Sequence, residues 1–154
     1  MDNIDKKILH LLQNDDKIQY QKIGEKLNIG PSTVHYRIKK LINSGIIKNF
    51  SAIVDPEKVG YTTTAVVGLN VEPLKMDEIA KQLTSYDEVQ VVTTSSGDHD
   101  IIVQIIARDG KHLWRFINEN IKTINGVDKK IHVSSFLDVY KRTNLIKFKG
   151  SEDI

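Results

Sequence analysis

Apolar positions recur at helical spacing through the first third of the chain and at strand spacing through much of the rest. Ile4, Ile8, Leu9, Leu11 and Leu12 form one stripe, predicting a helix capped by Asp2 or Asn3 and running to about Gln13. Asn14-Asp15-Asp16-Lys17 is a polar turn. A short second helix is predicted from Tyr20 to Leu27, with Ile23 and Leu27 four apart and Gly24 between them. A glycine inside a helix costs roughly 1 kcal/mol against alanine, so a crossing helix is expected to come close there. Asn28-Ile29-Gly30 makes a tight turn, both Asn and Gly tolerating positive φ. Pro31 to Ser44 is the third helix, with Pro31 in its first turn and Gly45 as its stop. Its apolar stripe is Val34, Ile38, Leu41 and Ile42. Gly45 to Val54 reads as a turn and an extended segment, broken by Asp55-Pro56.

Beyond that break the element types alternate. Thr62 to Glu72 is β-rich, and Lys75 to Tyr86 is helical with Met76, Ile79, Ala80 and Leu83 on one side. Val89 to Thr94 and Asp100 to Ala107 are strands, with Ser95 to His99 turning between them. Lys111 to Ile124 is helical and is expected to bury Leu113, Trp114, Ile117 and Ile121. A last strand is predicted over Val127 to Tyr140, with Ile131, Val133, Phe136 and Val139 apolar. The order βαββαβ implies a four-stranded antiparallel sheet with both helices on one face, the ferredoxin-like arrangement. The third strand is apolar on both sides, with Ile101, Val103 and Ile105 on one and Ile102 and Ile106 on the other. Such strands are buried on both faces, so a second copy of the sheet is the simplest cover for the bare one. The fold class is therefore α+β. A helix-turn-helix domain, winged-helix-like, spans residues 1–54, a linker 55–61, the βαββαβ domain 62–142 and a charged tail 143–154. The tail is expected to fray or dock loosely.

Charge changes the picture. The chain carries a formal +2, but residues 1–50 hold nine Lys/Arg against five Asp/Glu, while residues 51–154 hold 13 against 15. The basic part is thus the helical one, which suggests an anionic partner there. With no Cys there is no disulfide framework and no thiolate metal site. The acidic N-terminus is no signal peptide, and no apolar run approaches the ~20 residues of a membrane span. A reducing, cytoplasmic setting is expected, with no membrane partner. No nucleophile elbow, phosphate-binding Gly loop or paired-carboxylate motif stands out, so no enzyme is expected.

The outer side of the third helix carries hydroxyls, cations and an aromatic, and no carboxylate. Helix, short turn, basic helix is the pattern whose second helix enters the major groove of double-stranded DNA. Ser32, Thr33, His35, Tyr36, Arg37 and Lys40 are the candidate DNA-reading set. Arg37 can pair with guanine or clamp a phosphate; its alternative is a structural ion pair within the domain. A solvated basic face is the bland alternative for Lys40. Gly97-Asp98-His99-Asp100 is open to two readings, a polar hairpin turn or a metal site short of ligands.

These residues, in order, resemble the Lrp/AsnC (feast/famine) family of transcription regulators. The resemblance spans roughly Asp5 to Arg142. It rests on Asp5-x-x-Ile8-Leu9-x-x-Leu12-Gln13, Ile23-Gly24-x-x-Leu27, Pro31-Ser32-Thr33-Val34-x-x-Arg37-Ile38-x-x-Leu41, Gly45-Ile46-Ile47 and Ile53-Val54-Asp55-Pro56. Gly97-Asp98-His99-Asp100 and Ile124-x-Gly126-Val127 complete it. The resemblance implies a homodimer formed through the sheet, further assembly into octamers, and an amino acid or related small molecule bound between subunits near the loop joining the second and third strands. It implies no cofactor besides that effector. On this reading Gly97, Asp98, His99 and Asp100 form the effector loop. Asp98 and Asp100 would receive an ammonium group, Gly97 would supply positive φ, and Ser134 and Ser135 would add hydroxyls. A rival function is that of an amino-acid-sensing βαββαβ regulatory subunit of a metabolic enzyme, which leaves the basic helix unexplained.

Overall fold

The computed structural model describes residues 1–149; the closing Gly-Ser-Glu-Asp-Ile of the tail lies outside the described residues. The chain divides into two compact units, one of residues 1–53 together with the segment from Lys141 on, the other Val54–Tyr140.

The first unit is three helices, α1 (Asn3–Asn14), α2 (Tyr20–Leu27) and α3 (Pro31–Asn43). Asp2 caps α1 in a reciprocal box, accepting from the Asp5 N–H while Asp5 accepts from the Asp2 N–H. Ile8, Leu9, Leu11, Leu12, Ile23, Val34, Ile38 and Leu41 make one core. Ile42, expected in the buried stripe, is 43 % exposed. The turn after α2 puts Asn28 at φ 53°, closing the helix with a left-handed residue. It also explains Gly24. A Cβ there would stand 2.6 Å from the Ile29 carbonyl oxygen and 3.5 Å from the Pro31 nitrogen. The backbone of the turn comes closest, and behind it the first residue of α3.

Of the tail, the described residues dock on the first unit. Ile146 donates its N–H to Gln13 Oε1 at 2.7 Å and accepts from Gln13 Nε2 at 3.0 Å. One amide side chain thus satisfies both backbone groups of a single residue, as a neighbouring strand would. Phe148 packs against the three-helix core.

The second unit carries β1 (Thr63–Leu69), α4 (Met76–Leu83), β2 (Val89–Thr94), β3 (Ile101–Ala107), α5 (Gly110–Phe116) and β4 (His132–Ser135). A π-helical turn over Ile117–Ile121 extends α5. The sheet order is β2-β3-β1-β4 and every pairing is antiparallel. Ala65, Val67, Leu69, Ile101, Val103, Ile105 and Ala107 are fully buried beneath α4 and α5 with Ile79, Leu83, Leu113, Phe116, Ile117 and Ile121. The other face carries Thr64, Val66 and Gly68 of β1, paired with Ile106, Gln104 and Ile102 of β3. Ile102 and Ile106 are half-buried there.

Two further expectations fail. Trp114 is 68 % exposed, and Phe116 takes the buried place instead. The last strand is only four residues long, leaving Phe136 and Val139 40 % and 49 % exposed. Its ladder with β1 ends at Ala65↔Ser135, followed by one further hydrogen bond from the Phe136 N–H to the Thr64 carbonyl.

Candidate nucleic-acid interface and effector loop

Helix α3 positions the first candidate site. Its buried edge, Val34, Ile38 and Leu41, is locked into the core, which fixes what the other edge presents. Ser32, Thr33, His35, Tyr36, Lys39 and Lys40 are all exposed. Gly30 precedes the helix without a side-chain cap, and Pro31 has no N–H. The backbone N–H groups of Ser32 and Thr33, beside two hydroxyls, are therefore free for an anion. The His35 ring stacks on Tyr20 of α2, with centroids 5.7 Å apart and planes 24° off parallel, so its direction is set by its neighbour. Tyr36 is 68 % exposed.

Arg37 stands apart from that set. Its Nη1 donates to Asp2 Oδ2 at 2.7 Å and to Asp5 Oδ1 at 2.8 Å, and its side chain is 24 % exposed. Both carboxylates belong to the cap of α1, so the ion pair fastens α3 to the start of α1. The Asp5 backbone N–H, and then the Arg37 guanidinium, hold the Asp2 carboxyl below its usual range. The same two carboxylates raise the Arg37 pKa. This side chain, grouped from sequence with the DNA-reading residues, is engaged within the domain as a positioning residue.

The loop between β2 and β3 is the second candidate. Ser95 donates its N–H to the Asp100 carbonyl, and Gly97 donates to Ser95 Oγ. Asp100 is a structural brace, with its Oδ2 accepting the Val71 N–H at 2.9 Å. That carboxylate oxygen is engaged, which counts against Asp100 as an ammonium receptor. Gly97 is not among the residues at positive φ, so its expected conformational role is absent. Asp98 is exposed. His99 turns back over the sheet, its Nε2 3.1 Å from Nδ1 of His132 on β4. It lies above Gly68, where any Cβ would collide with its ring. His99 Nδ1 is buried with no hydrogen-bond partner among the described residues. The place of His132 beside His99 follows from strand register, which a single sequence does not display. Ser134 and Ser135 face opposite ways. Ser134 is opposite Val66 and shares the bare face with His132, whereas Ser135 is opposite Ala65. The structure brings together His99 and His132, with Ser134 two residues along on the same face, and leaves Ser135 out. Among the described residues no group of three or more His, Cys, Asp or Glu could hold a metal ion.

Comparison with known proteins adds independent findings. Residues 1–48 match a family model described as winged helix-turn-helix DNA-binding. Residues 62–149 match an AsnC-type regulator model described as a C-terminal dimeric alpha+beta barrel domain. The HTH-type transcriptional regulator FL11 of Pyrococcus horikoshii is 38 % identical over 149 residues, covering 97 % of each chain. The HTH-type transcriptional regulator LrpA of the same organism is 36 % identical over 129 residues, 84 % of this chain and 92 % of the relative. Among solved structures, Escherichia coli AsnC superposes with a TM-score of 0.88 at 23 % identity, covering 94 % of this chain and 97 % of that one. A Neisseria meningitidis transcriptional regulator, solved as a complex with L-Met, also gives 0.88 at 23 % identity over 96 % of both chains. At such identities the likeness concerns the fold alone.

Proposed function

The chain belongs to the Lrp/AsnC family of helix-turn-helix transcriptional regulators, and from that premise we propose a sequence-specific DNA-binding regulator tuned by an amino acid or a related small molecule. The observation that carries the first half is α3, whose exposed edge offers hydroxyls, an imidazole, a phenol and two lysines without a carboxylate. Ser32 and Thr33 hold a phosphate at the helix N-terminus, where free N–H groups and the dipole favour an anion. His35 and Tyr36 reach base edges, and Lys39 and Lys40 contact the backbone. Two such helices in a homodimer, formed through the bare sheet face, would read two half-sites about 10 bp apart. Dimers assemble further into octamers in this reading, and the protein acts in the cytoplasm.

The second half rests on the loop before β3 and its neighbours across the bare face. Asp98, with His99, His132 and Ser134, is the revised effector set; Asp100 and Ser135 drop out on geometry. The L-Met complex of the Neisseria protein supports this chemical class for the ligand. A ligand of this kind changes regulation only by favouring one assembly or DNA-bound state over another.

Selection from a random duplex pool with the full chain tests the first half. An enriched motif with two related half-sites is the expected result, and binding without enrichment would contradict it. Calorimetric titration with the standard amino acids, on wild type and Asp98→Ala, tests the second. Heat in wild type that is lost in the variant is expected; equal heat in both would move the site elsewhere.

A further inference from the structure

We propose that the docked C-terminal segment, Lys141 to Lys149, is a phosphate-binding part of the DNA interface. The proposal rests on the DNA-binding reading and extends it to residues about a hundred positions beyond the recognition helix.

The segment is held at two points, by the Ile146 backbone and by the Phe148 side chain. Ile146 is fixed to Gln13 through both backbone groups, and Phe148 packs on the three-helix core. Lys147 and Lys149, which alternate with these anchors, are exposed, as are Lys141 and Arg142. Residues 141–149 contain four Lys/Arg and no Asp or Glu. None of the four makes an ion pair among the described residues.

Their destination matters more than their number. Residues 1–53 hold nine Lys/Arg against five Asp/Glu, a charge of +4; residues 141–149 add four Lys/Arg, and with Glu152 and Asp153 counted the unit as a whole stands at +6. Residues 54–140 hold nine against 13, a charge of −4. The basic segment is thus attached to the basic unit. Gathering like charge on one small unit works against its compact state. Specific contacts to Gln13 and the core hold the segment there despite that repulsion. A polyanion reverses the balance, because each lysine that meets a phosphate releases a condensed counterion. Double-stranded DNA is the polyanion that α3, on the same unit, is built to meet. The cleft beside the segment is lined by residues 46–53, the stretch leaving α3, and by Asp15 and Asp16 at the end of α1, so the cations that meet phosphate are those on the segment's outer side.

The test is the salt dependence of duplex binding by the full chain, read by fluorescence anisotropy. Wild type is compared with Lys147→Ala/Lys149→Ala and with Lys141→Ala/Arg142→Ala, each leaving Ile146 and Phe148 in place. Lys147→Gln/Lys149→Gln serves as a second version of the first pair, and melting curves confirm folding. For a pair in which both side chains meet phosphates, the slope of log K against log salt falls by about 1.8, roughly 0.9 per contact. The loss is the same on selected and random duplex, because phosphates carry no sequence. Unchanged slopes in every variant, with wild type binding normally, would overturn this proposal alone. A wild-type chain that bound no duplex would overturn the DNA-binding reading and this proposal together.

Discussion

One nitrogen of Arg37 serves Asp2 and Asp5 together, so removing the guanidinium leaves two carboxylates side by side at the start of α1. Arg37→Ala is expected to lower the melting temperature of the first unit by on the order of 5 °C. Affinity for DNA, measured where the variant is still folded, should change little. A normal melting curve with a large, base-specific loss of affinity would return Arg37 to the reading set. The same cluster sets an acid dependence. A carboxyl held below its unfolded value of 3.8 stabilises the fold above that pH and loses the contribution as pH falls through the lowered value. Wild type should therefore destabilise below about pH 4 more steeply than Asp2→Asn, as followed by circular dichroism. Superimposable acid profiles would contradict this. Gly68 is the other single atom's worth of design. A methyl there collides with the His99 ring, so Gly68→Ala should expel His99 and break its contact with His132. Imidazole proton shifts read this directly, and unchanged shifts would show that the ring does not lie where described.

At the scale of elements, the helices of the first unit were readable because a 3.6-residue period needs only one chain to be seen. Ile8, Ile23, Val34 and Ile38 are buried as the spacing predicts. The errors arise where hydrophobicity was allowed to outrank phase. Leu113, Phe116, Ile117 and Ile121 hold one side of α5 and its extension, at steps of three, one and four. Trp114 lies about 100° round the helix from Leu113 and about 160° from Phe116, off the buried side, and is left in solvent. The length of β4 and the meeting of His99 with His132 depend on strand partners, which no local pattern encodes. The docking of the tail on Gln13 is likewise a contact across 133 positions. A core test belongs here: Ile38→Ala, at a fully packed position of α3, should cost about 2–5 kcal/mol. Loss of the first unit's cooperative transition, with the second unit's retained, is the expected calorimetric result. A single transition lowered as a whole would mean that the units do not unfold independently.

The whole molecule is a division of charge as well as of structure, a basic helical unit and an acidic α+β unit. The bare sheet face, with Ile102 and Ile106, is where a second copy is expected. Replacing both with Lys should yield a monomer or an aggregate, because unpaired charge in an apolar contact is strongly unfavourable. A wild-type oligomer surviving in light scattering would rule that face out. The central claim, however, concerns α3. The most direct measurement is the affinity of the full chain for its selected duplex and for random duplex, in wild type and in Tyr36→Ala/Lys40→Ala. Both side chains are exposed and off the core, so the fold should persist. The account predicts a loss of about tenfold or more on the selected duplex, a smaller loss on random duplex and a salt slope reduced by about 1. Equal affinity of variant and wild type for the selected duplex, with matching melting curves, would contradict it.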